Sequence, residues 1–215
     1  MRAPAAPKLI PDMPPPPVKT LAELRAAEAE CTRCPLYKFA TQVVPGEGRA
    51  RAHLILVGEQ PGDQEDRTGK PFVGPAGRIL DQALAAAGIP RNDAFVTNAV
   101  KHFKFEMRGK RRLHKRPNAY EIERCRWWLE QERAIVKPTA IVALGATAAR
   151  SLFGRVVTIT SMRGKAHRLA DGSTGFVTIH PSFLLRIEDE DDKDREYRNF
   201  IADLRLAAKV LAEAA

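Results

Sequence analysis

The sequence predicts an α/β fold of three layers, with helices covering both faces of a central four-stranded parallel sheet. Four short apolar runs, each ending in glycine or a polar residue, supply the strands. Helical patterns between them supply the two outer layers. The chain has 215 residues, 44% apolar and 28% charged, which suits one domain with a sizeable core and excludes wholesale disorder.

Residues 1–19 hold seven of the sixteen prolines, Pro14 to Pro17 among them, and read as a disordered tail ahead of a single domain over 20–215. Thr20, with Glu23 three residues on, caps a helix reaching about Glu30. The strands follow as His53–Val57 ending in Gly58, Ala94–Thr97 ending in Asn98, Thr139–Leu144 ending in Gly145, and Gly175–Ile179 ending in His180. Helical patterns occupy roughly 76–87, 119–136, 146–153 and 194–214. Strands alternating with helices imply parallel pairing, and such sheets bind ligands at their carboxyl ends. Those ends carry Glu59-Gln60, Asn98, Gly145-Ala146-Thr147 and His180-Pro181-Ser182. No run of 18 apolar residues spans a bilayer, and prolines interrupt any signal-peptide core. Three cysteines are too few for a disulfide scaffold, so a reducing cytoplasm is expected.

Charge is concentrated. Lys101, Lys104, Arg108, Lys110, Arg111, Arg112, Lys115 and Arg116 face only Glu106, within a chain of net charge +9. Such a segment is the footprint of phosphate binding, a solvated loop being the plain alternative. Cys31-Thr-Arg-Cys34 is a C-x-x-C pair, used for metal ligation or redox chemistry. With Cys125 and with His102 beside the second strand's end, an iron–sulfur site and a Cys₃His zinc site both remain open.

Four segments carry a resemblance: Gly58-Glu-Gln-Pro-Gly-Asp-Gln-Glu-Asp66, Gly69-Lys-Pro-Phe-Val-Gly74, Thr97-Asn98 and His180-Pro-Ser182. In this order they resemble the motifs of the uracil-DNA glycosylase superfamily, over about residues 20–210, and within it the iron–sulfur branch called family 4. Two features depart from family 4: His102 stands where it has a cysteine, and Lys110-Arg-Arg-Leu-His-Lys-Arg-Pro117 is inserted. Both are similar to the UdgX type, whose basic loop carries a histidine that bonds to the DNA after uracil leaves.

The resemblance implies a 4Fe-4S cluster on Cys31, Cys34, His102 and Cys125, and a monomer acting on uracil-containing DNA, single-stranded or with the nucleotide flipped from a duplex. Gly58, Phe72, Asn98 and His180 would surround uracil, Phe72 stacking on it and Asn98 pairing with its polar edge. His180 would stabilise the departing anion. His114 would capture the sugar cation, with Glu59 balancing the imidazole proton and Asp63 as the second-choice carboxylate. Gln60 occupies the place where a related motif has a water-orienting Asp. Lys110, Arg111, Arg112, Lys115, Arg116 and Ser182 would hold DNA. Phe183, Leu184 or Leu185 would wedge into the base stack. The rival readings are a glycosylase that turns over with water, His114 touching only phosphate, and a non-catalytic DNA-binding module. His53 and His167 are expected to be structural, and Trp127 or Trp128 to shield the cluster.

Overall fold

The computed structural model describes residues 18–214, so the tail expected over 1–19 lies outside the described residues except for its last two. In chain order the helices are α1 (Leu21–Ala29), α2 (Asp63–Thr68), α3 (Pro75–Ala86), α4 (Ala119–Val136), α5 (Ala146–Phe153), α6 (Ile159–Met162) and α7 (Glu190–Glu213). The strands are β1 (Leu54–Gly58), β2 (Ala94–Asn98), β3 (Phe105–Arg108), β4 (Arg111–His114), β5 (Ala140–Leu144), β6 (His167–Arg168) and β7 (Thr174–Thr178).

The sheet runs β2-β1-β5-β7-β6. Its first four strands are parallel, as the sequence implies, and β6 adds a fifth, antiparallel to β7. Two residues leave no periodic signal, which is why the sequence predicts four. Successive side chains of a strand point to opposite faces. Leu54, Leu56, Val142 and Leu144 therefore meet Leu80 and Leu84 of α3 and Phe200 and Leu204 of α7. Ile55, Val57, Ile141 and Ala143 meet Leu129 and Val136 of α4 and Ala148 and Leu152 of α5. Each fully buried aliphatic side chain of this kind contributes about 1.5–3 kcal/mol, which secures both helical layers.

The helix ends follow local chemistry. Thr20 Oγ1 accepts the Glu23 N–H at 3.2 Å, as its spacing predicts. Asn118 and Glu121 form a reciprocal capping box on α4. Helix α7 starts four residues ahead of expectation because Asp189 caps it and Glu190, Asp191 and Asp192 sit in its first turn, where the helix dipole favours carboxylates. Among the described residues no helix is long and apolar enough to cross a membrane.

The largest departure is the basic segment. It is a β-hairpin rather than a loop, with Phe105 opposite His114 and Met107 opposite Arg112. Gly109, at φ +61°, turns the chain between β3 and β4.

Candidate active site

A cavity of about 590 Å³ opens at the carboxyl ends of β1 and β2 and runs to the turn after β7. Glu59, Gln60, Asp63, Phe72, Asn98, His114, His180 and Ser182 line it, so four separate sequence motifs and the hairpin converge on one space. Asn98 is 2% exposed at the end of β2. Gly58, its neighbour on β1, has to lack a side chain: a Cβ there would collide with Asn98 Oδ1 and with the Phe72 ring. Phe72 takes a left-handed backbone, φ +57°, which for a residue with a Cβ costs on the order of 1 kcal/mol or more. The fold imposes that conformation by packing Gly77 against the Phe72 carbonyl, where any side chain would clash.

Glu65 is a residue that the sequence reading missed. Its buried carboxylate accepts the Gly62 N–H at 3.1 Å and the Gly74 N–H at 2.8 Å, clamping the first motif to the Phe72 loop. Gly62 and Glu65 stand at the N-cap and third position of α2, and that capping-box spacing was the available signal. The first motif therefore enters a short helix whose N-cap N–H is satisfied by the Glu65 carboxylate.

The ring of Phe72 lies against that of His180, with centroids 5.9 Å apart and planes at 29°. The Ser182 N–H donates to His180 Nδ1 at 3.2 Å, and Ser182 Oγ lies 2.8 Å from the same nitrogen. An Nδ1 that accepts carries no proton, so the neutral ring bears its proton on Nε2 and can donate from there. Burial, with His114 and Arg186 nearby, pulls the His180 pKa down to about 4. The imidazole is neutral in the ordinary pH range. Ser182 is turned toward His180 and fixes its tautomer. Of the three wedge candidates, Leu184 is buried in the core, while Phe183 and Leu185 are exposed and Leu185 borders the cavity.

His114 stands at the end of β4, half-exposed, with Nε2 3.3 Å from Glu59 Oε1. Glu59 is held in turn by Thr147 Oγ1, which donates to Oε2 at 2.6 Å from the start of α5. Thr147 was legible only as one polar group among several at a strand end. Burial and the Arg186 charge lower the His114 pKa against the opposing pull of Glu59, favouring the neutral ring.

Three residues singled out from the sequence are engaged within the protein. Gln60 is not free to act on a substrate: its amide donates to the Lys104 and Lys115 carbonyls at 3.0 and 3.2 Å and accepts from the Lys104 N–H at 3.2 Å. It pins both ends of the hairpin. Arg112 is not a surface phosphate contact. Its guanidinium binds Asp63 at 2.5 Å and Asp66 at 2.6 Å, and lies over the rings of Phe103 and Phe105. Asp63, the second-choice carboxylate, is bonded to Arg67 and Arg112, which hold its carboxyl below the usual range.

The cationic run is thereby divided. Lys101 is fully buried and bonded to Glu132 at 2.7 Å, and Lys104 reaches Glu121 at 2.8 Å. Arg108, Lys110, Arg111, Lys115 and Arg116 remain exposed, Lys115 beside Glu106 at 3.3 Å and Arg116 4.0 Å from Glu59.

Cys31, Cys34 and Cys125 are free thiols buried in a small cluster with Leu24, Val100, Ile122 and Trp128. Among the described residues no three His, Cys, Asp or Glu side chains form a group that could hold a metal ion. The three cysteines nonetheless lie together as buried sulfur donors, the ligand type that iron–sulfur groups use. The Trp128 Nε1–H donates to Cys31 Sγ at 3.2 Å and the Lys101 N–H to Cys125 Sγ at 3.3 Å, as thiolate sulfurs require. Burial pushes the Cys34 thiol up to about 11 and Cys125 higher still, so the thiolate forms need a metal's positive charge. Buried His102 Nδ1 has no hydrogen-bond partner, and burial holds its pKa down at about 4, leaving a neutral ring able to ligate. Trp128 is buried against the cysteines. His53 and His167 lie away from the cavity, His53 Nδ1 3.3 Å from Thr139 Oγ1 and His167 Nε2 2.9 Å from the Met162 carbonyl, its ring edge-on to Phe153.

Comparison with known proteins agrees with this geometry. The family model described as the uracil DNA glycosylase superfamily matches residues 45–205. A type-4 uracil-DNA glycosylase of Thermotoga maritima is 41% identical over 159 residues, 73% of this chain and 79% of that protein. One from Pyrobaculum aerophilum is 36% identical over 173 residues, 77% of this chain and 85% of that protein. A type-5 uracil-DNA glycosylase from the same organism is 28% identical over 181 residues, 76% of each chain. With its motifs gathered at one sheet edge and a family match over three quarters of its length, this chain belongs to the uracil-DNA glycosylase superfamily, with type-4 enzymes among its relatives.

Proposed function

We propose that this chain excises uracil from DNA, breaking the bond between uracil N1 and sugar C1′. The observation that carries the reading is the cavity itself, where buried Asn98, Phe72 and an Nε2-protonated His180 surround a space for one base. Asn98 offers an amide donor and acceptor to the polar edge that distinguishes uracil from cytosine. Phe72 offers a stacking face. The bond's electron pair leaves with uracil, and the Nε2–H of His180 donates to the resulting anion.

What then meets the cationic sugar decides the product. We read His114 as the captor. An imidazole nitrogen's lone pair bonds to C1′, the positive charge passes to the ring, and Glu59, fixed by Thr147, balances it until the remaining N–H proton is lost to solvent. The placement of the His114–Glu59 pair at the cavity supports this. The names of the type-4 relatives favour a second reading, in which water attacks C1′, abasic DNA is released and His114 is only a neighbour of the sugar-phosphate.

Cys31, Cys34, His102 and Cys125 are the residues that would hold a 4Fe-4S cluster, for which electron transfer and structural bracing are the available chemistries. The reading is of a monomer in a reducing compartment.

The test uses the intact chain with a uracil-containing single strand. Free uracil should be released, and Asn98→Ala should reduce that release at least a hundredfold. A denaturing gel then separates the two fates of the sugar: a heat-stable band that His114→Ala abolishes supports capture, and abasic product accumulating without such a band supports water. A wild-type chain that releases no uracil overturns the proposal.

A further inference from the structure

Two aromatic side chains beside the basic hairpin take no part in the chemistry above. Phe39 is 67% exposed and Tyr37 is 39% exposed, on the turn that follows Cys34. Large rings so placed mark interaction surfaces when other features gather around them. Here they do. The Thr41 N–H donates to both carboxylate oxygens of Asp66, at 3.0 and 3.2 Å, and Thr41 Oγ1 accepts from Arg112 at 3.1 Å. Gln42 Nε2 donates to the Asp66 and Arg67 carbonyls at 3.1 and 3.0 Å. The segment is therefore fastened to α2 and to the hairpin. Two residues of chain span at most about 7 Å, so Phe39 lies beside the hairpin.

The hairpin adds an apolar contact and charge. Met107 faces Arg112 across the two strands, shares its side of the hairpin, and is exposed. Lys38 lies 5.9 Å from the centroid of the Tyr37 ring. Arg108, Lys110 and Arg111 are exposed, and no carboxylate lies within ion-pair distance of them among the described residues. Exposed rings on a segment fastened to a hairpin whose exposed cations have no carboxylate partner among the described residues match single-stranded nucleic acid, whose bases have free faces and whose backbone is anionic. A duplex keeps its base faces stacked and offers such rings nothing.

We propose that Phe39, with Tyr37 beside it, forms a stacking platform for a base flanking the uracil in single-stranded DNA, with the hairpin cations on the adjoining phosphates. The proposal rests on the uracil-excision reading for its biological use, but the contact needs no uracil. Binding is therefore measured by fluorescence anisotropy with a labelled oligothymidylate and, separately, with a uracil-free duplex. Phe39→Ala should weaken single-strand binding about tenfold, the loss of one stacked base, while leaving the slope of affinity against salt unchanged. Phe39→Trp should retain wild-type affinity, and its added indole fluorescence should be quenched when the oligothymidylate binds. Duplex affinity should change less than twofold in both variants. Unchanged single-strand affinity in Phe39→Ala, an added indole signal in Phe39→Trp that is not quenched, or an equal loss on duplex would each overturn the platform. If single-strand binding depends on Phe39 but the wild type releases no uracil, the platform stands and the excision reading falls.

Discussion

His180 is the residue whose chemistry is most tightly specified. Nδ1 is occupied by the Ser182 N–H, so the ring can only donate from Nε2 while it is neutral. Removing one such donor from a developing anion costs roughly 10²–10³ in rate, and His180→Ala should lose uracil release by that factor in single-turnover assays. Its pKa, pulled down to about 4, gives a signed stability effect. Between about pH 6.5 and 4 the unfolded chain binds a proton that the folded one does not. Stability from this group is therefore complete above 6.5 and declines as pH falls, by up to about 1.4 kcal/mol per unit. Denaturant titrations across that window should show a shallower acid decline in His180→Gln than in the wild type; parallel curves would contradict the assigned environment. At this scale the sequence displayed residues whose neighbours in the chain announce them, such as Asn98 after an apolar strand and His180 before Pro181. It hid the clamp made by Glu65 and the bond made by Thr147, because their partners matter more than their identities. The hydroxyl of Thr147 meets a carboxylate 88 positions away, a contact no local pattern encodes.

The hairpin shows the same limit for elements. Strands β1, β2 and β5 are buried throughout and β7 in all but its first residue, and all four read as short, mostly apolar runs, so they were legible. Strands β3 and β4 are polar and largely exposed, and their form depends on anchors elsewhere: Gln60 at their base and Arg112 pressed between Asp63, Asp66 and two phenylalanine rings. Breaking a largely buried pair of this kind leaves Asp66, which is fully buried, short of its partner. Arg112→Ala should lower unfolding free energy by about 3 kcal/mol and should reduce the heat-stable DNA adduct more than it reduces uracil release, since His114 rides on the same hairpin. Chemical denaturation and a denaturing gel on one preparation check both. Equal loss of adduct and release would mean that the hairpin only supports the pocket.

For the whole molecule, net charge foretold an anionic partner but overstated the surface available to it. Of eight cations in the run, Lys101, Lys104 and Arg112 are spent inside the protein. If Lys110, Arg111, Lys115 and Arg116 contact phosphates of a single strand, the logarithm of affinity should fall against log salt with a slope near −3, and Lys110→Ala with Arg111→Ala should reduce it to about half. A slope near zero would remove the hairpin from the docking surface. The cysteine cluster makes an independent statement: the purified chain should be brown and contain about four irons, and Cys125→Ala should lose both colour and iron, whereas a colourless protein with one zinc would contradict the cluster. The most direct measurement is mass spectrometry of the protein after incubation with excess uracil-containing single strand, with free uracil quantified in the same tube. One uracil released per chain, and a nucleotide remnant on the peptide bearing His114, is the expected result. Many uracils per chain with no remnant would hand the sugar to water, and no released uracil would contradict the assignment of the pocket itself.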